Sequence, residues 1–188
     1  WDDPIKYSCQ KNFVLGIGDV NTNQDFNVPG GVGSNEPAMP ALVSADPMVP
    51  DARTWTNRVG VMHGLGNSLG SASIGNGSYL MAGLAYYANT TDLRADMAGK
   101  QTVQTYWLDV MEYQAYANNN QYYLAAKYGG FTVPDGYDTA RTADITAAWW
   151  RSNTDLVNGA GSQIRPDNYF TASRPDLMVA GLSKTFAS

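Results

Sequence analysis

The run Phe13-Val14-Leu15-Gly16-Ile17-Gly18, closing on Asp19, constrains the fold more than any other stretch of the chain. An unbroken apolar run of this length reads as a strand buried on both faces, which is the pattern of parallel sheets, and it delivers a polar residue at its carboxyl end. Parallel strands need long crossovers, usually helical, so the remaining sequence should alternate helix and strand. It does. Ser78 reads as an N-cap, and Leu80, Leu84 and Tyr87 follow at helical spacing in a helix expected to end near Asn89. From Val103 to Val110 the residues are β-branched and aromatic and alternate in character, which predicts a strand. A second helix carries Gln121, Leu124, Ala125 and Tyr128 on one face, and Gly129-Gly130 is expected to stop it with a left-handed cap. Tyr169-Phe170 reads as a short strand. Ser173-Arg174-Pro175-Asp176 has the form of a capping box ahead of a last stripe of Met178, Leu182, Thr185 and Phe186. Strand, helix, strand, helix, strand, helix predicts an α/β fold with a parallel sheet flanked by helices.

Two long stretches interrupt this skeleton. Between residues 26 and 74 no helical or strand period is apparent, and Pro29, Pro37, Pro40, Pro47 and Pro50 punctuate it. Residues 131–167 open with the turn Pro134-Asp135-Gly136 and hold one short helix with Ile145 and Trp149 on a face. Both read as insertions in one domain spanning residues 1–188, and connections of such length are more often functional than plain linkers. Trp55 and the pair Trp149-Trp150 sit in these insertions and are expected to serve as contact rings for another molecule rather than as core, the alternative being that they pin their own loops.

With 188 residues, 44% hydrophobic and 15% charged, the chain can bury a core and is neither disordered nor a coiled coil. Its 12 basic against 17 acidic residues give a net charge of −5 without a basic cluster, which argues against nucleic-acid binding. No apolar run approaches the roughly 18 residues of a membrane span. Few charges and many Tyr, Trp and Asn suit an extracellular surface, and the start at Trp1 reads as a processed product or a fragment. Cys9, the sole cysteine, reads either as a small buried hydrophobe or as half of a disulfide to sequence outside the chain. Gly16-Ile17-Gly18 lacks the third glycine of a dinucleotide fingerprint, and Gly64 to Gly70 reads as a flexible loop.

The sharpest candidate site is Asp19-Val20-Asn21-Thr22-Asn23-Gln24-Asp25, with oxygen-bearing side chains at every second position. Hard cations want several such oxygens, so Asp19, Asn21, Asn23 and Asp25 are candidate ligands for a weak Ca2+ or Mg2+ site. The other reading is an Asx-rich turn whose side chains bond to nearby amides.

Several blocks go further than composition. Cys9-Gln10-Lys11-Asn12-Phe13 with the strand that follows resembles a segment of PilY/PilC-type type IV pilus assembly and tip adhesin proteins. The stretches Gly83 to Ala88, Thr91 to Gln101, Asn119 to Phe131, Tyr169 to Ala172 and Leu177 to Phe186 resemble later blocks of the same family, in family order. The resemblance implies the carboxyl half of a von Willebrand factor A-like domain: an incomplete, doubly wound, mostly parallel Rossmann-like sheet with a ligand site at its strand ends. It implies that Asp19 corresponds to the Asp after the central strand in that domain's metal-dependent adhesion site, and that the Asp-x-Ser-x-Ser turn lies upstream of Trp1. It further implies an extracellular bacterial module at the cell surface or pilus tip, not an enzyme, that meets the rest of a longer polypeptide, minor pilins and a host or surface receptor. The competing reading is a hydrolase or redox enzyme on a doubly wound sheet, which would need a nucleophile, a base and an acid converging at the strand ends.

Overall fold

The computed structural model describes residues 2–19, 40–75, 77–111, 119–157, 163–172 and 175–187. Strand β1 (Asn12–Gly18) pairs in parallel with β4 (Val103–Asp109), which pairs in parallel with β5 (Tyr169–Thr171). A small antiparallel ladder joins β2 (Ser73–Ile74) and β3 (Gly77–Ser78). The crossovers carry α3 (Leu80–Thr90) and α4 (Gln121–Gly130), and α6 (Pro175–Phe186) follows the last strand. The expected parallel α/β skeleton is therefore present, and it is compatible with a Rossmann-like fold.

Alternation along β4 sends Thr105, Trp107 and Asp109 to one face and Tyr106 and Leu108 to the other. The first face meets α4, which is buried along nearly its whole length, and behind it α3 and α2 (Ala52–Met62). On the second face Tyr106, Leu108, Phe170 and Ala172 pack with Leu15, Met178 and Leu182, so α6 covers β4 and β5. Neither face of β1 is covered to the same degree. Phe13, Val14 and Ile17 are 53%, 52% and 51% exposed, which corrects the expectation of a strand buried on both faces.

Three further expectations change. The stretch 26–74 is not irregular throughout: besides α1 (Ala41–Ser44) it contains α2, capped by Asp51, whose side chain accepts from the amides of Arg53 and Thr54. Its buried stripe is Ala52, Thr56, Val59, Gly60 and Met62, small enough that α3 approaches closely; a Cβ on Gly83 would lie 2.3 Å from Thr56. Gly129 and Gly130 are helical rather than left-handed. They are glycines because a Cβ would lie 2.6 Å from Ala85 at the first and 2.3 Å from Asn168 at the second. Cys9 is exposed, which removes its reading as a buried hydrophobe.

The segment 131–167 is likewise built into the core. Ile145 and Val157 are buried, α5 (Ala147–Trp150) lies against α4, and Leu156 bridges Ile164. Trp149 stacks near Phe131 at 6.4 Å between centroids, while Trp55 meets Tyr86 and Tyr87 at 5.5 and 5.0 Å. These rings pack against the core and pin their own segments, which corrects the expectation that they serve contact rather than core. Ser173 and Arg174 of the expected capping box lie outside the described residues.

Candidate functional site

The carboxyl ends of β1, β4 and β5 meet at one rim of the sheet. Glycine sets their spacing at β1: the Trp107 ring lies across Gly16, where a Cβ would come within 2.0 Å of it, and stacks on Tyr122 at 3.9 Å and 19°. Tyr122 in turn donates its hydroxyl to the backbone carbonyl of Asp19. The first turn of α4 thus holds the point where β1 ends. Asp19 is half-buried there, beside Val110, whose amide donates to the Gly18 carbonyl at 3.0 Å.

The most buried carboxylate of this rim is Asp109, at the end of β4 and 1% exposed. Its Oδ1 accepts from the Met111 amide at 2.9 Å; its Oδ2 accepts from Asn120 Nδ2 at 2.8 Å and the Tyr169 hydroxyl at 2.6 Å. Asn120 uses its other side-chain atom, Oδ1, to accept from the amides of Tyr122 and Tyr123 as the N-cap of α4. One carboxylate thereby ties the ends of β4 and β5 to the start of α4. Met111 sits at φ 51°, a left-handed conformation rare for a side chain of this size, so the chain turns sharply as it leaves β4. Sequence reading placed Asp109 only as a member of the strand's alternation. The available signal was an acid on the same strand face as Thr105 and Trp107, a position that demands burial with partners.

A second polar cluster lies between α2, α4 and the 131–167 segment. Lys127 is 3% exposed, donates to Asp144 Oδ2 at 2.7 Å, and lies 4.7 Å from the centre of the Trp150 ring. Tyr128 donates to Asp144 Oδ1 at 2.8 Å, and its oxygen is 3.1 Å from His63 Nδ1; that same nitrogen is 3.4 Å from Lys127 Nζ. Burial pulls the Lys127 ammonium below its ordinary range, opposed by Asp144, and burial together with Asp144 pushes the Tyr128 phenol far above its own. This cluster joins three parts of the chain and is fully engaged in doing so.

Of the candidate cation ligands, Asp19 is placed at the rim, while Asn21, Asn23 and Asp25 lie outside the described residues. Among the described residues no group of three or more His, Cys, Asp or Glu side chains is arranged to hold a metal. Asp109, with three protein donors, is an anchor of the rim rather than an open ligand.

No family model matches the chain, and no solved structure matches it significantly. A protein of Xylella fastidiosa (strain Temecula1), the type IV pilus biogenesis factor PilY1 homolog, is 40% identical over 204 aligned residues that take in all of this chain. The resemblance to PilY-type proteins holds along the entire chain. The chain spans 17% of that relative's length. Assignment to the von Willebrand factor A type rests on the residue blocks alone. Among the described residues, no helix is long and apolar enough to cross a membrane.

Proposed function

We propose that the chain is a module of type IV pilus biogenesis and tip adhesion, working outside the cell as part of a longer PilY-type polypeptide, with no catalytic role of its own. The identity of 40% across the whole chain carries this reading. The half-exposed apolar residues of β1 support it: among the described residues β1 pairs along one edge only, and its Phe13, Val14 and Ile17 call for a cover of further polypeptide. The reading supplies that polypeptide as the upstream half of a von Willebrand factor A-like domain, and it makes minor pilins and a host or surface receptor the further partners. The polar clusters support a structural role over the hydrolase or redox alternative. His63 is taken up by Tyr128 and Lys127, and Asp109 by three donors, so neither serves a nucleophile at the strand ends.

A weak divalent cation site at Asp19, drawing further oxygens from Asn21, Asn23 and Asp25, belongs to the same reading. Supporting it are the position of Asp19 at the carboxyl end of β1 and the fixing of its backbone by Tyr122. One strand-end carboxylate with amide oxygens would bind Ca2+ at roughly 10⁻⁴ to 10⁻³ M, the range of extracellular modules.

Two substitutions in the full-length protein test these points separately. Leu124→Asp puts a charge at a position with 0% exposure and should unfold the module; surface pili should then be lost, and normal piliation would overturn the biogenesis reading. Asp19→Ala should leave pili in place and reduce adhesion and the calcium-dependent thermal shift. An unchanged shift at millimolar calcium would assign Asp19 to turn hydrogen bonding.

A further inference from the structure

We propose that the groove between α2 and residues 140–142 is a binding site for carboxylates presented by an acidic peptide segment of a partner protein. The inference stands on geometry and charge and does not depend on the pilus reading. The groove, about 340 Å3, takes one face of α2, where Thr54, Asn57 and Arg58 are neighbours at helical spacing, and closes against Arg141 and Thr142. Among the described residues no acidic side chain lines it. In a chain of net charge −5, two arginines therefore line one groove with no acidic residue among its described lining.

Arg94 bridges Asp3 and Asp96, Arg165 bridges Asp155, and Lys127 bridges Asp144, whereas neither Arg58 nor Arg141 makes a salt bridge among the described residues. The acids closest to the groove along the chain are committed elsewhere. Asp51 caps α2 and accepts from Thr54, Asp138 accepts from the Ala140 amide, and Asp144 holds Lys127 and Tyr128.

Both guanidinium groups are also pre-positioned. Arg58 lies 4.4 Å over the Trp55 ring, and Arg141 lies 5.3 Å from the Trp149 ring and 5.7 Å from the Tyr137 ring. Arg141 further donates Nε to the Ala143 carbonyl at 2.9 Å and Nη2 to the Asp144 carbonyl at 2.7 Å. A guanidinium held against a ring loses little freedom on binding, and with Nε and Nη2 of Arg141 on backbone carbonyls its Nη1 is the donor left for a carboxylate beside the fork of Arg58. Asn57 accepts from the Gly70 amide through Oδ1, which orients its NH2 group as a donor. The groove is open to solvent, so a single free anion gains little there. Carboxylates joined on one extended segment gain from their linkage, with Asn and Thr groups available to the peptide backbone.

The test uses the full-length protein and a fluorescein-labelled peptide of alternating glutamate and glycine, read by anisotropy and by Trp55 fluorescence. The glutamate peptide should bind, its glutamine counterpart should not, and Arg58→Gln with Arg141→Gln should weaken binding by about tenfold or more. Arg58→Lys keeps the charge and loses the planar fork, so it should weaken binding while leaving the fold intact. Absence of binding, or an equal loss with Lys100→Gln outside the groove, would overturn the proposal. Inorganic phosphate or free glutamate binding as tightly as the peptide would overturn the peptide as occupant and make the groove a small-anion site.

Discussion

Replacing Asp109 by Asn changes one oxygen for one nitrogen, yet the geometry of the strand-end rim makes it among the most damaging conservative changes available. The carboxylate accepts on both oxygens, from Met111 on one side and from Asn120 and Tyr169 on the other, with 1% of the residue exposed. An amide has a single acceptor. In its better orientation the oxygen faces Asn120 and Tyr169, and the NH2 group then opposes the Met111 amide. That leaves an unsatisfied buried donor at about 1–3 kcal/mol, and two charge-assisted bonds fall to neutral ones at about 1 kcal/mol each. Relief of the buried charge offsets part of this, for an expected net loss of about 3 kcal/mol out of the roughly 5–15 kcal/mol of a typical domain. Tyr169→Phe removes one of the three bonds and should cost about 2 kcal/mol. Urea denaturation followed by tryptophan fluorescence measures both, and the double variant should lose less than the sum because one change weakens and the other removes the same Tyr169–Asp109 bond. A loss below about 0.5 kcal/mol for Asp109→Asn, or strict additivity, would refute the view that this carboxylate ties the rim together.

Gly16→Ala should destabilise by about 1–3 kcal/mol by driving Trp107 off Tyr122, while Gly18→Ala, whose Cβ would meet only the Tyr122 hydroxyl at 3.7 Å, should cost less; similar urea midpoints for the two would contradict the stacking argument. Burial raises the phenols of Tyr86 and Tyr128 far above the ordinary tyrosine value of 10.0. Their contribution is therefore complete below pH 10 and is lost as pH rises, by about 1.4 kcal/mol per pH unit for each, whereas the lowered ammonium of Lys127 works in the opposite sense below its own unfolded value. Alkaline titration should show one cooperative unfolding step accompanied by a jump in phenolate absorbance; gradual ionisation of all tyrosines in the folded state would contradict it.

The elements legible in the sequence were those whose burial is apolar and periodic. The strands β1, β4 and β5 and the helices α3, α4 and α6 fall within a residue or two of their expected bounds. Helix α2 escaped because its stripe is written in small and polar residues. Thr56 is fully buried with its hydroxyl on the Ala52 carbonyl at 2.7 Å, and Gly60 abuts Leu69, so neither adds to an apolar period. Gly129 and Gly130 were misread for a related reason: a glycine pair at a helix end signals a turn locally, and only the approach of Ala85 and Asn168 reveals the steric cause. At the site, Asp19 was legible because it ends an apolar run. Asp109 was not, because its meaning lies in Asn120 and Tyr169, which are 11 and 60 residues away in sequence.

The reading of β1 failed in the most informative way. Its composition is that of a strand covered on both faces, yet Phe13, Val14 and Ile17 remain about half exposed. Covering an apolar side chain of that size contributes about 1.5–3 kcal/mol, so leaving three of them half bare forgoes several kcal/mol, a large share of a typical domain's stability. A sequence written for burial that the described residues do not supply is coherent if neighbouring polypeptide supplies it. The relative, of which this chain matches 17%, has ample length to do so. In that arrangement the edge of β1 takes a further strand, and Phe13, Leu15 and Ile17 take a cover alongside α6. Joining the upstream polypeptide should then raise the urea midpoint of the chain and abolish binding of a hydrophobic dye, while Phe13→Ser with Ile17→Ser should lower dye binding by the chain alone and weaken the stabilisation conferred by the added segment. A chain that binds no dye by itself, and whose stability is unchanged by the added polypeptide, would show that the exposed face of β1 is tolerated rather than shared.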